Sequence, residues 1–290
     1  MGLHYVTLPN GETIAYQKRE GGDQTIILVH GNMTSSKHWD VLLESLSPKF
    51  TLIAIDMRGF GGSTYHQRIT CIKDFSDDLK AFVDTLGLKQ FHLIGWSTGG
   101  AVGMQFVADY PGDCEKLVLL ASASTRGYPF YTSRLARLNR RLLTIRDIER
   151  DGKTQAIQTL YDTGNRKGLK SVWDSLIYTH TQPEPARYEE YVDDMLTQRN
   201  VADVYHALNH FNISSHSNGL TEGTGQAASI RIPVLVLSGD RDLVVPRHMT
   251  EEILADLGSN AQHVLLHNTG HSALIDCPDT VTKVIEDFLE

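Results

Sequence analysis

Cysteine is scarce in this chain, which has only Cys71, Cys114 and Cys277 in 290 residues. Because their number is odd and no spacing pairs them, we expect reduced thiols and a cytoplasmic protein. Long apolar runs are also missing, and none approaches the ~20 residues that a membrane-spanning helix needs. Residues 1–6 lack the basic and then apolar pattern of a signal peptide. The sequence therefore predicts neither an integral membrane protein nor an exported one.

Positive charge is in deficit as well. The chain has 27 Lys and Arg against 35 Asp and Glu, a formal net charge of −8. Nucleic-acid binding needs a basic surface, so we expect no nucleic-acid partner. His206 and His210 are four residues apart, but no cysteine or carboxylate completes a metal site around them, and we expect no metal and no cofactor. The sequence leaves the number of subunits open.

Strand-like and helix-like segments alternate along most of the chain, which is typical of a mostly parallel sheet covered by helices on both faces. Continuous apolar runs indicate strands buried on both faces. Residues 75–86 repeat apolar side chains at helical spacing, and Gly87 ends that pattern. Eight strands are predicted, at residues 5–8, 13–17, 25–30, 52–55, 91–94, 116–121, 234–239 and 263–267.

The pattern changes between residues 124 and 229, where strand-like runs stop and helical stretches dominate. We interpret this segment as a helical cap inserted into a core formed by residues 1–123 and 230–290. An arginine-rich stretch, residues 134–146, is expected to form one cap helix with a solvated polar face. Aromatic residues just before it, Tyr128, Phe130 and Tyr131, are candidates to line the cap entrance.

Residues 95–99 read Gly95-Trp96-Ser97-Thr98-Gly99 and directly follow an apolar strand. A serine on a sharp turn from strand to helix has its hydroxyl exposed, and the flanking glycines let the turn close. A neutral hydroxyl is a poor nucleophile until a base takes its proton. Ser97 therefore predicts that an oriented histidine lies elsewhere in the chain.

An acid and a histidine follow in the order that such a site requires. Asp242 comes just after the strand at 234–239, and His271 comes just after the strand at 263–267. The ends of parallel strands share one edge of a sheet, where ligands bind. Asp240 is the competing acid, but it is closer to its strand end, where a local turn or charge pair is expected. We assign Ser97, Asp242 and His271 as the candidate catalytic residues.

Acyl transfer also needs backbone N–H groups that meet the negative charge developing on the carbonyl oxygen. One donor should be Thr98, the residue after the nucleophile. The other should come from His30-Gly31-Asn32-Met33, the loop after the third strand. Asn32 is the leading candidate there, with Met33 as the alternative.

These motifs together resemble the α/β-hydrolase superfamily, and the resemblance covers nearly the whole chain outside the cap. It implies the α/β-hydrolase fold and a loop-shaping role for residues 56–63. Segments 30–40, 95–97 and 127–129 are similar to the intracellular polyhydroxybutyrate depolymerases of bacilli. That group has methionine where this chain has Thr98. The resemblance implies a cytoplasmic serine esterase acting on short 3-hydroxyacyl esters or on the stored polyester.

Other members of the superfamily have activities that are alternatives to ester hydrolysis. Haloalkane dehalogenases and epoxide hydrolases use an aspartate nucleophile, and Ser97 stands in its place. Carbon–carbon bond hydrolases, lactonases and cofactor-free haloperoxidases share the serine triad, so these activities stay open. A hydrolase-fold receptor with low turnover is a further alternative. The cap is expected to decide among the substrates.

Overall fold

A computed structural model describes residues 2–132 and 141–290. A single eight-stranded sheet forms its centre. The strands are β1 (Leu3–Thr7), β2 (Thr13–Arg19), β3 (Gln24–Val29), β4 (Phe50–Ile55), β5 (Phe91–Trp96), β6 (Cys114–Leu120), β7 (Val234–Gly239) and β8 (Ala261–Leu266).

The strands lie in the order β1-β2-β4-β3-β5-β6-β7-β8. β2 is antiparallel to both of its neighbours, whereas all strand pairs from β4 to β8 are parallel. Val29 of β3 pairs with Gly95 of β5, so the ends of these two central strands are level. The predicted fold class, a mostly parallel eight-stranded α/β-hydrolase sheet, is confirmed.

Helices connect the strands and cover both faces of the sheet. In the described residues they are α1 (Asp40–Ser45), α2 (Ile72–Thr85), α3 (Thr98–Asp109), α4 (Ile145–Arg150), α5 (Gly152–Asp162), α6 (Arg166–Leu176), α7 (Pro185–Met195), α8 (Val201–His210), α9 (Arg247–Leu257), α10 (Ala273–Asp276) and α11 (Pro278–Leu289). No helix in these parts of the chain has the length and apolar character to cross a membrane.

Two apolar cores lie on opposite faces of the sheet. β5 is buried along its whole length, and alternate residues enter different cores, with Leu93 in one and Ile94 in the other. This explains why the central strands read as continuous apolar runs instead of alternating ones.

Helices α4 to α8 all lie in the segment between β6 and β7 that was predicted as a cap. α8 contributes Val204 and Leu208 to the core that also contains α2 and α3. Trp173 of α6 belongs to the other core. The cap segment is therefore packed onto the sheet layers through both cores, and the boundaries at residues 123 and 230 stay a prediction.

The arginine-rich helix expected at residues 134–146 lies in part outside the described residues, which omit 133–140. In the described portion, Arg141 is not helical and pairs with Tyr131 in an isolated bridge. Its guanidinium is half-buried and donates to Asn209 Oδ1 at 2.8 Å. The expectation of a solvated helical face is wrong for Arg141, because its side chain bonds α8.

Candidate active site

Ser97 lies at the turn between β5 and α3. Its backbone has φ 55° and ψ −113°, a region that non-glycine residues rarely occupy. Its N–H donates to the Leu120 carbonyl oxygen at 3.0 Å, which ties the turn to the end of β6. Strain of this kind persists where neighbouring structure fixes the backbone, and it is common at functional sites.

Glycines on either side allow this turn to close against the sheet. A Cβ atom at Gly99 would lie 2.0 Å from the Val29 carbonyl oxygen of β3. One at Gly95 would lie 2.3 Å from the Gly99 carbonyl oxygen. No side chain fits at those distances, so the motif spacing reflects the close approach of α3 to β3 and β5.

Asp242 and His271 meet where β7 and β8 end. His271 Nδ1 lies 2.8 Å from Asp242 Oδ2, and both side chains are almost fully buried. The other carboxylate oxygen accepts backbone N–H bonds from Val244 at 2.7 Å and Val245 at 2.9 Å. A carboxylate held at both oxygens fixes the imidazole with Nδ1 protonated, which leaves Nε2 free to act as a base.

Asp240 has different neighbours from Asp242. Its Oδ1 accepts the Thr269 N–H at 3.1 Å, and its Oδ2 lies 3.5 Å from Nδ1 of the exposed His267. These bonds, led by the one from Thr269, lower the pKa of the Asp240 carboxyl group. Asp240 thus bonds the backbone of the β8 loop and its surface histidine, as the sequence predicted for a local turn.

The candidate oxyanion donors lie at the ends of β3 and β5. Thr98 begins α3, so its N–H has no acceptor within that helix. Among the described residues, none accepts a hydrogen bond from the Asn32 N–H. The Met33 N–H instead donates to Gln198 Oε1 at 3.1 Å. Of the two predicted alternatives, Asn32 therefore has the free donor.

Gln198 holds the loop that carries these groups. Besides accepting from Met33, its amide nitrogen donates to Asn32 Oδ1 at 2.7 Å and to Asn200 Oδ1 at 2.9 Å. Sequence reasoning missed Gln198, because it is 166 residues from Asn32 along the chain and lies in no recognisable motif.

A cavity of about 480 Å³ contains both Ser97 and His271. The candidate oxyanion residues Asn32 and Thr98 also line it. Its remaining described lining is mostly apolar and comes largely from the cap segment, including Tyr128, Phe130, Ile157, Val172, Trp173, Leu176, Ile177, Tyr205 and Leu208. Of the three aromatics proposed from the sequence, Tyr128 and Phe130 line the cavity and Tyr131 does not, whereas Tyr205 lines it without any sequence signal.

The two cavity tyrosines are neutral hydroxyl groups at physiological pH. Burial, followed by the negative charge of Asp242, raises the pKa of Tyr128. Burial, followed by the proximity of Tyr128, raises the pKa of Tyr205 to about 12. Each protonated hydroxyl can therefore donate a hydrogen bond to a group bound in the cavity.

His30 lies near the site but has a structural position. Its Nδ1 is 2.7 Å from the Gly31 carbonyl oxygen, and its Nε2 accepts the Met57 N–H at 2.9 Å. Complete burial lowers the pKa of this imidazole to about 4. His30 is thus a neutral bridge between the loops that follow β3 and β4.

In the described part of the chain, no three His, Cys, Asp or Glu residues are grouped to hold a metal ion. The expectation that the protein uses neither metal nor cofactor stays a prediction.

The sheet order, the turn at Ser97 and the Asp242–His271 pair define a hydrolase of the α/β class. Residues 24–278 match the family described as alpha/beta hydrolase fold, and the chain belongs to that family. It is 27% identical over 286 residues to serine hydrolase BPHL of Mus musculus, covering 97% of this chain and 84% of the relative.

Two further similarities span most of the chain. A 2-hydroxy-6-oxononadienedioate/2-hydroxy-6-oxononatrienedioate hydrolase of Pseudomonas putida is 22% identical over 277 residues, covering 93% of this chain and 88% of the relative. The structure of the esterase EaEST from Exiguobacterium antarcticum superposes with a TM-score of 0.76 at 17% identity, over 99% of both chains. At that identity the structural likeness concerns the fold alone.

Proposed function

We propose that the protein is a serine hydrolase that cleaves carboxylic esters through an acyl-enzyme intermediate. One observation carries the proposal: Ser97, on its strained turn, shares a cavity with the imidazole that Asp242 orients. A positioned nucleophile, base and acid are the parts that acyl transfer needs.

The reaction follows from these positions. His271 Nε2 takes the proton of Ser97 Oγ as that oxygen bonds to the ester carbonyl carbon. The N–H groups of Asn32 and Thr98 stabilise the resulting oxyanion. His271 then gives the proton to the leaving alcohol, and the acyl group stays on Ser97. Water, activated by the same imidazole, releases the acid and restores the serine.

Replacing the nucleophile tests this proposal. Ser97→Ala should lower kcat on p-nitrophenyl esters by ~10⁴–10⁶ and leave the circular dichroism spectrum unchanged, because only the attacking oxygen is lost. A serine-directed phosphonate should label the wild-type protein at Ser97, as located by peptide mass spectrometry. Labelling at another residue, together with an active Ser97→Ala protein, would remove Ser97 from the mechanism.

The narrower proposal is a cytoplasmic enzyme that acts on short 3-hydroxyacyl esters, including oligomers or amorphous granules of polyhydroxybutyrate. Its support is the resemblance in segments 30–40, 95–97 and 127–129, together with a cavity lined by Tyr128 and Phe130. Leu176, which is 42% exposed, also lines the cavity and offers apolar contact at its opening.

Amorphous polyhydroxybutyrate granules can be used to test whether the protein cleaves the polyester. The purified protein should release 3-hydroxybutyrate from them, and Ser97→Ala should not. Hydrolysis of simple p-nitrophenyl esters without any release from granules would reject the polyester and leave the general esterase. Including lactones and carbon–carbon bond substrates in the same panel separates the esterase from the other serine-triad activities.

A further inference from the structure

One lysine stands out among the described residues that line the apolar cavity around Ser97. Among the described lining residues, Lys153 is the only lysine, arginine, aspartate or glutamate. Lys153 is also exposed, so this residue lines the cavity where the cavity meets solvent. A charge at that position is available to the part of a bound molecule that extends from Ser97 towards the opening.

The position of Lys153 follows from the face that α5 turns to the cavity. Lys153, Ala156 and Ile157 are spaced i, i+3 and i+4, and all three line it. Residues at this spacing share one side of a helix. The cavity side of α5 is therefore apolar except in its first turn, where it presents a single positive charge.

Lys153 has no evident role in the stability of its own helix. A cation in the first turn is disfavoured, because the N-terminal end of a helix is electrically positive. The N-terminal amides are already capped, since Asp151 Oδ2 accepts from the N–H groups of Lys153 at 3.0 Å and Thr154 at 3.3 Å.

The ammonium group also lacks an internal partner, as no carboxylate of the described residues lies within 4.0 Å of it. Three other helical lysines, Lys73, Lys80 and Lys283, each pair with an aspartate four residues on, whereas Lys167 of α6 is exposed and has no such partner. This unpaired cation of Lys153, on an exposed residue that lines the cavity, is therefore available to bind a ligand anion.

We infer that the enzyme selects esters that carry a carboxylate, and that Lys153 determines this selectivity by pairing with it. The inference rests on the proposed esterase function and narrows its substrate class. The net charge of the chain is −8, which as a whole repels an anionic ester. Preference for such an ester must therefore depend on the local charge of Lys153.

Matched esters test this selectivity on both sides of the scissile bond. Mono-p-nitrophenyl glutarate and p-nitrophenyl pentanoate differ by a carboxylate on the acyl arm. Acetoxybutanoate and butyl acetate differ by a carboxylate on the alcohol arm. We expect the wild-type protein to have the higher kcat/KM for the carboxylate ester in at least one pair, and added salt to reduce that preference.

The variants assign the preference to one residue. Lys153→Gln should lower the ratio of kcat/KM for the carboxylate ester to that for its neutral partner by roughly twofold to fivefold, the scale of a solvent-exposed ion pair. Lys167→Gln is the matched control, because Lys167 is an exposed lysine on the next helix that lies outside this cavity. It should leave the ratio unchanged.

Measuring binding in a protein that cannot turn over the ester tests the role of Lys153 separately from the proposed esterase activity. In the Ser97→Ala protein, calorimetry with intact mono-p-nitrophenyl glutarate and acetoxybutanoate should show weaker binding once Lys153→Gln is added. No preference in either ester pair, or a preference that survives Lys153→Gln, would overturn the role of Lys153. If the wild-type protein cleaves no ester at all, the esterase proposal fails, and the calorimetric comparison still decides whether Lys153 binds a carboxylate.

Discussion

Asp240 and Asp242 are two positions apart in the chain, but their carboxylates have different partners and different degrees of burial. Asp242 is buried against the imidazole of His271, whereas Asp240 bonds the Thr269 N–H at the surface. Replacing either carboxylate by an amide removes one negative charge with little change of shape. The two variants therefore separate orientation of the histidine from local turn stability.

We expect Asp242→Asn to lower kcat by roughly 10⁴, as in the serine proteases, because the amide favours the wrong imidazole tautomer. Asp240→Asn should keep kcat close to wild type, since Asp240 touches neither His271 nor the cavity. Steady-state kinetics on one p-nitrophenyl ester measures both. The opposite ranking would make Asp240 the triad acid.

The residues that sequence reasoning identified are those marked by local context. Ser97 has flanking glycines and a preceding strand, and Asp242 and His271 each follow an apolar run. Gln198 and Lys153 could not be found in this way. Gln198 bonds Asn32, 166 residues away, and Lys153 lines the cavity only because folding brings α5 to it, so the adjacent sequence indicates neither position.

At the scale of elements, the contact between α3 and the sheet depends on the absence of side chains. Gly99→Ala places a Cβ atom 2.0 Å from the Val29 carbonyl oxygen, so α3 must move away from β3. Because backbone must shift, we expect a loss of about 3 kcal/mol in the free energy of unfolding, at the upper end for overpacking. The kcat should also fall, because the Thr98 N–H moves with the helix.

Gly152→Ala is the control for Gly99→Ala, because it makes the same change where there is space for a side chain. Gly152 begins α5, and a Cβ atom there meets nothing within 4 Å. Gly152→Ala should raise the free energy of unfolding by about 0.5 kcal/mol, since it restricts only the unfolded chain. Urea unfolding of both variants measures the contrast. Equal effects would mean that the close packing of α3 is not what fixes Gly99.

The number and type of core strands follow from apolar runs, but their ends and neighbours do not. β1 spans Leu3–Thr7 instead of residues 5–8, because pairing with β2 sets its ends. β3 lies between β4 and β5 because of pairing between strands that are distant in the chain, and no single apolar segment predicts that order. Arg141 was misassigned for the same reason, since its bonds to α8 override the local helical pattern.

At the scale of the whole molecule, the buried side chains of His30 and Asp56 have opposite effects on stability as the pH falls. Burial lowers the pKa of His30 from 6.5 to about 4, so stability is lost as the pH falls through that range and the unfolded chain gains the proton. Burial raises the pKa of Asp56 from 3.8 to about 6, so stability is gained as the pH falls from 6 to 4. Each displacement is worth about 3 kcal/mol.

Replacing either His30 or Asp56 should therefore leave the pH effect of the other group on stability without its opposing contribution. Relative to wild type, the free energy of unfolding of Asp56→Asn should fall by about 3 kcal/mol between pH 6 and pH 4, because His30 is no longer offset. The His30→Gln variant should change in the opposite direction. Urea unfolding at a series of pH values gives both differences. Parallel pH profiles for all three proteins would show that neither group is linked to folding in this way.

The indole of Trp96 donates to the carbonyl oxygen of His271, a partner 175 residues further along the chain. On a translating ribosome, at about 5–20 residues per second, the turn at Ser97 is therefore synthesised roughly 9 to 35 s before His271. Throughout that interval the nascent chain carries Ser97 without the histidine that we propose activates it. The proposed hydrolysis needs the ends of β7 and β8, which carry Asp242 and His271, so in a refolding experiment activity should return no earlier than these two strands pair.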